Sequence, residues 1–136
     1  MKKFKKLIIA CDGESASGKS TASKLIAKKY KLVLVNSGLL YRYGSKILIE
    51  KKPKSFLPFL KSKFKKVSYK SIEKQELHSE VISNHVTLLA KNKKVREIIN
   101  RFQRKIIRNN KRICIEGRDI ASKILAKNPK YDLAFY

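Results

Sequence analysis

Hydrophobic and polar positions alternate between two regimes along this chain. An apolar run from Leu7 to Ala10, followed by Cys11 and closed by Asp12 and Gly13, predicts a parallel strand over 6–12 buried on both faces. Residues 19–29 then change to helical period, with Ala22, Leu25, Ile26 and the Lys29 stem on one face. Leu32 to Val35 predicts a second buried strand, Asn36-Ser37-Gly38 a turn, and Gly38 to about Lys51 a helix with Leu40, Tyr43 and Ile47 on one side. Pro53 and Pro58 interrupt that order. The lysine-rich stretch 52–76 reads as a small insertion, and the alternation from Lys66 to Ile72 suggests a short strand pair. Ser79 is placed to cap a helix over 79–91. Val95, Ile98, Ile99, Phe102 and Ile106 carry a second helix over 94–109, ended by Asn109-Asn110. Ile113 to Glu116 predicts a third buried strand before Gly117, Asp119 to Lys127 a short helix, and Tyr131 to Tyr136 the beginning of a fourth strand.

Strands and helices in alternation predict an α/β fold, a parallel sheet flanked by helices, in a single domain over 1–136. Ligands of such sheets collect at the carboxyl ends of the strands, so polar residues at those ends are the candidates for chemistry.

Composition narrows the picture. No apolar run approaches the roughly 20 residues a membrane span needs. The opening MKKFKKLIIACDGE has an apolar run below the roughly 7–15 residues of a signal sequence, and Asp12 and Glu14 follow at once. The expectation is a soluble, cytoplasmic protein without a membrane partner. Cys11 and Cys114 lie in strand-like runs with no metal-ligand spacing, and read as buried reduced thiols. The formal net charge of +24 comes from 27 lysines and 7 arginines against 10 acidic residues. The lysines are spread along the chain, and most, Lys28, Lys29, Lys91, Lys93 and Lys94 among them, read as solvated helix faces. That spread, with few interleaved aromatics, argues against nucleic acid as the partner.

The segment Gly13-Glu14-Ser15-Ala16-Ser17-Gly18-Lys19-Ser20 matches G-x-x-x-x-G-K-[ST], with a strand before it and a helix after it. Glycines let successive backbone N–H groups turn into one hollow, and the helix N-terminus adds partial positive charge. This is a phosphate-binding loop for a nucleoside triphosphate. Lys19 would reach the β- and γ-phosphates, Ser20 would ligate Mg²⁺, and Thr21 adds a hydroxyl for the α-phosphate.

The runs IIACDGESASGKST, NSGLLYR, KVREIINRFQR and IEGRDI, in that order and spacing, resemble the cytidylate kinases. The resemblance covers nearly the whole chain and is weakest over 50–76. It implies the fold of P-loop nucleoside monophosphate kinases, with a small monophosphate-binding insertion around 52–78. It also implies ATP with Mg²⁺ as donor, CMP or dCMP as acceptor, and a monomer. Carried onto this sequence, Ser37 would contact the nucleoside monophosphate, while Arg42 and Arg118 would clamp its phosphate. Arg96 and Asp119, with a hydroxyl on Thr87, would read the base. The chemistry is coherent: cytosine offers an amine for a carboxylate to accept, and N3 and O2 for a guanidinium to donate to. Lys19, Arg42 and Arg118 are thus the candidate catalytic set. Arg101, Arg104 and Arg108 read as a solvated face, and His78 and His85 carry no assigned role.

This chain departs from the family pattern at Glu14 (commonly Pro), Asn36 (usually Asp), His78 (commonly Arg), Thr87 (usually Ser) and Ala121 (commonly Gly). The family also continues past the fourth strand into an arginine-bearing lid. The expectation is therefore an N-terminal portion, truncated after that strand, that binds nucleotide with little turnover of its own. Two rivals remain at this stage. One is a different P-loop kinase, acting on another nucleoside monophosphate or small metabolite. The other is a basic nucleic-acid-binding module or non-catalytic remnant.

Overall fold

A computed structural model describes residues 6–13, 19–117, 120 and 131–135. The elements run β1 (Leu7–Asp12), α1 (Lys19–Tyr30), β2 (Val33–Asn36), α2 (Ser37–Lys51), α3 (Phe56–Lys66), α4 (Tyr69–Glu73), α5 (Glu80–Lys91), α6 (Lys93–Asn109), β3 (Arg112–Gly117) and β4 (Leu133–Phe135). They divide into two compact units, Met1–Ser37 with Gln103–Tyr136, and Gly38–Phe102. Among the described residues no helix is long and apolar enough to cross a membrane.

The first unit is an α/β layer built on a four-stranded parallel sheet in the order β2-β3-β1-β4. β1 and β3 are its centre, with Leu7 opposite Arg112 and Asp12 opposite Gly117. Their continuous apolar runs are explained by burial on both faces: Ile8, Ile9, Ala10, Cys11, Ile113, Cys114 and Ile115 are all buried. Asp132 fastens β4 to β1, its backbone N–H donating to the Ile8 carbonyl and its carboxylate accepting from the Ile8 N–H, both at 2.7 Å. β2 differs from the buried strand read in the sequence. It lies at the sheet edge, paired with β3 alone, and Val33 is 45% exposed. Asn36 ends β2, and Ser37 and Gly38 already belong to α2, so the chain passes from strand to helix without the expected separate turn.

α1 packs on this sheet with a face rotated from the one the apolar spacing suggested. Leu25 is 64% exposed and Ala22 faces solvent, whereas Ser23 and Ala27 are buried and Ile26 half-buried. The cause is a polar pair: the Ser23 hydroxyl donates to the carboxylate of Glu116, itself buried on β3. A charge in a sheet needs a donor, and a small hydroxyl on the facing helix supplies one without displacing apolar contacts. Ala27 and Ile26 then meet Ile9, Cys11, Leu32 and Cys114. α1 is followed by Lys31, whose left-handed backbone (φ 56°) lets the Leu32 N–H reach the Ala27 carbonyl at 2.8 Å.

The second unit is helical. The stretch 52–76 forms α3 and α4, not a strand pair. Pro58 stands in the first turn of α3, where a missing N–H costs no helical hydrogen bond, so the residue read as a breaker is compatible with the helix. Leu60 and Phe64, one turn apart, supply its buried face. Ser68 caps α4, accepting from the Ser71 N–H at 3.2 Å. Phe64 is the centre of an aromatic chain, edge-on to Tyr43 at 5.4 Å and to Phe102 at 5.3 Å. Gly44 lets α2 approach this core. A Cβ there would stand 3.2 Å from Leu89 and 3.8 Å from both Leu60 and Phe64. Burying each such aromatic contributes about 2–3 kcal/mol.

Candidate functional site

In the first unit, the two motif-bearing loops leave neighbouring strands at the same, carboxyl, end. β1 delivers the chain into the Gly13 loop and β3 into Gly117. The Gly13 N–H donates to the Gly117 carbonyl at 3.2 Å, so the ladder continues one step into the loops themselves. Asp12, missed in the sequence reading, adds a second tie: its carboxylate accepts from the Ile120 N–H at 2.6 Å. Its place as the last residue of an apolar run was the available signal. Gly117 has no room for a side chain, since a Cβ would stand 2.7 Å from the Cβ of Ser37 and 2.9 Å from Cδ1 of Ile120. Ser37, buried at the head of α2, therefore lies directly against the segment that leads to Arg118. Lys19 and Ser20 form the first turn of α1, and Thr21 follows with an exposed side chain. Glu14, Ser15, Ala16, Ser17 and Gly18 lie outside the described residues, as do Arg118 and Asp119 and the helix expected over 119–127.

Beneath these loops sit the two thiols. Cys11 and Cys114 form no disulfide, are buried and lie 3.7 Å apart between sulfurs. Their mutual hydrogen bond first, and burial second, hold the Cys114 thiol far above its ordinary range.

The second unit collects three of the other candidates. Arg42 on α2 is half-buried, and its Nη1 donates to the Leu77 carbonyl at 3.0 Å and to the Ser83 hydroxyl at 2.9 Å. Ser83 was not singled out from sequence, although it lies one turn before Thr87 on α5. Thr87 is exposed. Arg96 on α6 is half-buried, with Nη1 donating to the Ala90 carbonyl at 2.8 Å. Its charge also reaches Tyr41: burial raises the tyrosine pKa, and the nearby guanidinium partly offsets that rise. Both arginines are thus held by neutral carbonyl or hydroxyl oxygens, which fix the guanidinium without cancelling its charge. Of the remaining polar residues, Arg101 and Arg108 are exposed and Arg104 half-buried. His78 is exposed and His85 bonds the Ser45 hydroxyl at 2.9 Å. A cavity of about 520 Å³ in this unit is lined by Lys46, Glu50, Glu76, His78 and Ser79 among others. No cluster of metal-binding side chains occurs among the described residues.

The cytidylate kinase family profile matches residues 9–131. The chain is 31% identical over 133 residues to the cytidylate kinase of Aquifex aeolicus (strain VF5), covering 89% of this chain and 60% of that protein. It is 31% identical over 141 residues to the cytidylate kinase of Clostridioides difficile (strain 630), covering 96% and 63%. Against the bifunctional pantoate ligase/cytidylate kinase of Prochlorococcus marinus (strain MIT 9312) the identity is 35% over 133 residues, covering 86% and 26%. The chain therefore spans about three-fifths of the length of the single-function relatives. The profile match begins within β1 and runs through β3 to the residue before Asp132, and on that span the chain belongs to the cytidylate kinase family.

Proposed function

We propose that this chain provides the nucleotide-binding part of a kinase that transfers the γ-phosphoryl group of ATP to CMP or dCMP. The observation that supports it most is the junction of Gly13 and Gly117. It joins the start of the phosphate loop to the start of the Gly-Arg-Asp element on adjacent strands of a sheet whose family is that of cytidylate kinases. In this reading, an oxygen of the CMP phosphate attacks the γ-phosphorus, the bond to the β,γ-bridging oxygen breaks, and ADP leaves. Lys19 and the loop amides hold the donor phosphates, while Arg42 and Arg118 hold the acceptor phosphate for attack. No side-chain base is required, because the attacking oxygen already carries charge. Ser20, in the first turn of α1, is the residue that would offer a hydroxyl to Mg²⁺. When bound, the ion would supply neutralising charge at the transferring group.

Thr87, Arg96 and Asp119 are assigned to the base. Arg96 donates to N3 and O2 of cytosine, Asp119 accepts from the exocyclic amine, and uracil presents an acceptor where that amine would be. Rejecting it would follow from leaving that carboxylate without a donor once the base is bound. Titrating the protein with CMP and UMP by calorimetry tests this assignment. Affinity for CMP at least about tenfold above that for UMP is expected; equal affinities would remove cytidine from the reading and leave a kinase for a different acceptor.

A further inference from the structure

Arg42 has five N–H donors in a planar fork. Its two Nη1 hydrogens are matched by two acceptors, the Leu77 carbonyl at 3.0 Å and the Ser83 hydroxyl at 2.9 Å. Among the described residues these are its polar contacts, and both are uncharged. Arg42 is half-buried, and neither partner is an acid that would pair with it. The edge left for a ligand is the Nε and Nη2 side, the pair that can fork around two oxygens of a phosphate.

Both acceptors are themselves fixed. The Leu77 side chain is fully buried, which anchors the backbone carrying its carbonyl. Ser83 is in the first turn of α5, where its N–H donates to the Ser79 carbonyl at 3.0 Å and Ser79 caps the helix by accepting from the Ile82 N–H. A flexible arginine has several rotamers to lose on binding; one already tied at Nη1 has fewer, and presents a chosen edge.

We infer that Ser83, with the Leu77 carbonyl, is a positioning residue that sets which edge of Arg42 meets the phosphate of the acceptor nucleotide. Ser83 then governs affinity for the phosphate and not for the base. This rests on the acceptor reading above, and goes beyond it in naming a residue outside the family-derived set.

The test is calorimetric titration of the full chain and its variants with CMP and, by NMR at millimolar concentration, with cytidine. Ser83→Ala is expected to weaken CMP binding about threefold to tenfold, the worth of one ordinary hydrogen bond, and to leave cytidine binding unchanged. Ser83→Thr, which keeps the hydroxyl, should restore CMP affinity, and in an Arg42→Ala background Ser83→Ala should have no further effect. Equal losses for CMP and cytidine, or a loss that persists without Arg42, would show a merely structural role and overturn the inference. Unchanged CMP binding in Ser83→Ala overturns it as well. A wild-type chain that binds no CMP overturns the acceptor reading and this inference with it, whereas wild-type binding of CMP with any of the Ser83→Ala outcomes above overturns this inference alone.

Discussion

Gly13 and Gly117, 104 positions apart in sequence, are joined backbone to backbone at 3.2 Å at the end of the central strand pair. The joint depends on the second glycine lacking a side chain. Gly117→Ala places a methyl group 2.7 Å from the Ser37 Cβ and 2.9 Å from Ile120, and one of these contacts is with the head of a helix that cannot turn aside. A loss of about 1–3 kcal/mol is expected, read from urea denaturation. Wild-type stability in this variant would mean that the loop closes with more slack than the close contacts imply.

Ser23 and Glu116 make a second tie, between α1 and β3, with both side chains buried. Ser23→Ala removes a donor from a buried carboxylate and is expected to cost about 1–3 kcal/mol by the same assay. Combining it with Glu116→Gln, which removes the charge, should recover part of that loss. Additive costs for the two substitutions would show that the pair is not coupled.

The Cys114 thiol gives the stability of the chain an alkaline limb. Its pKa is raised by the hydrogen bond to Cys11 and by burial, from an ordinary value of 9.0. Above that value the unfolded chain releases the proton and the folded chain keeps it, so the unfolded state binds fewer protons and stability falls as pH rises. A slope of about 1.4 kcal/mol per pH unit from this group is expected above about pH 9, absent in Cys114→Ala. The check is the difference in unfolding free energy between wild type and variant from about pH 8 to about pH 10.5; a flat difference removes Cys114 as its source.

Lys31 occupies a backbone conformation that favours glycine, with φ 56° at the end of α1 and an exposed side chain. Lys31→Gly is expected to raise the melting temperature by a few degrees, corresponding to about 0.5–1 kcal/mol. A lower melting temperature would mean that the lysine stem contributes packing that outweighs the backbone strain.

Much of this arrangement was legible in the chain. Continuous apolar runs marked β1 and β3 because their burial on both faces leaves no polar alternation. The helical period from Val95 to Phe102 marked α6, and Ser79 marked the start of α5. What was misread depended on partners remote in sequence. Val33 looked buried because nothing local tells an edge strand from a central one. The face of α1 turned on a serine matched to a glutamate 93 positions away, which apolar spacing cannot register. Pro58 was taken as a breaker because its place in a first turn depends on where the helix starts. At the proposed site, Arg42 was singled out by the motif it sits in. Ser83 and the Leu77 carbonyl, which hold Arg42, carry no motif, being a common side chain and a backbone oxygen.

The strand order has a consequence for biosynthesis. β1 pairs with β3 and β4, and both are translated after about a hundred further residues. At roughly 5–20 residues per second, that delay is of the order of 5–20 s. For much of it, a strand with four buried apolar residues is without either neighbour it pairs with in the sheet. The five lysines ahead of or beside it (Lys2, Lys3, Lys5, Lys6 and Lys19) put like charge on every nascent copy, and mutual repulsion is a means of keeping those unpaired strands from finding one another first.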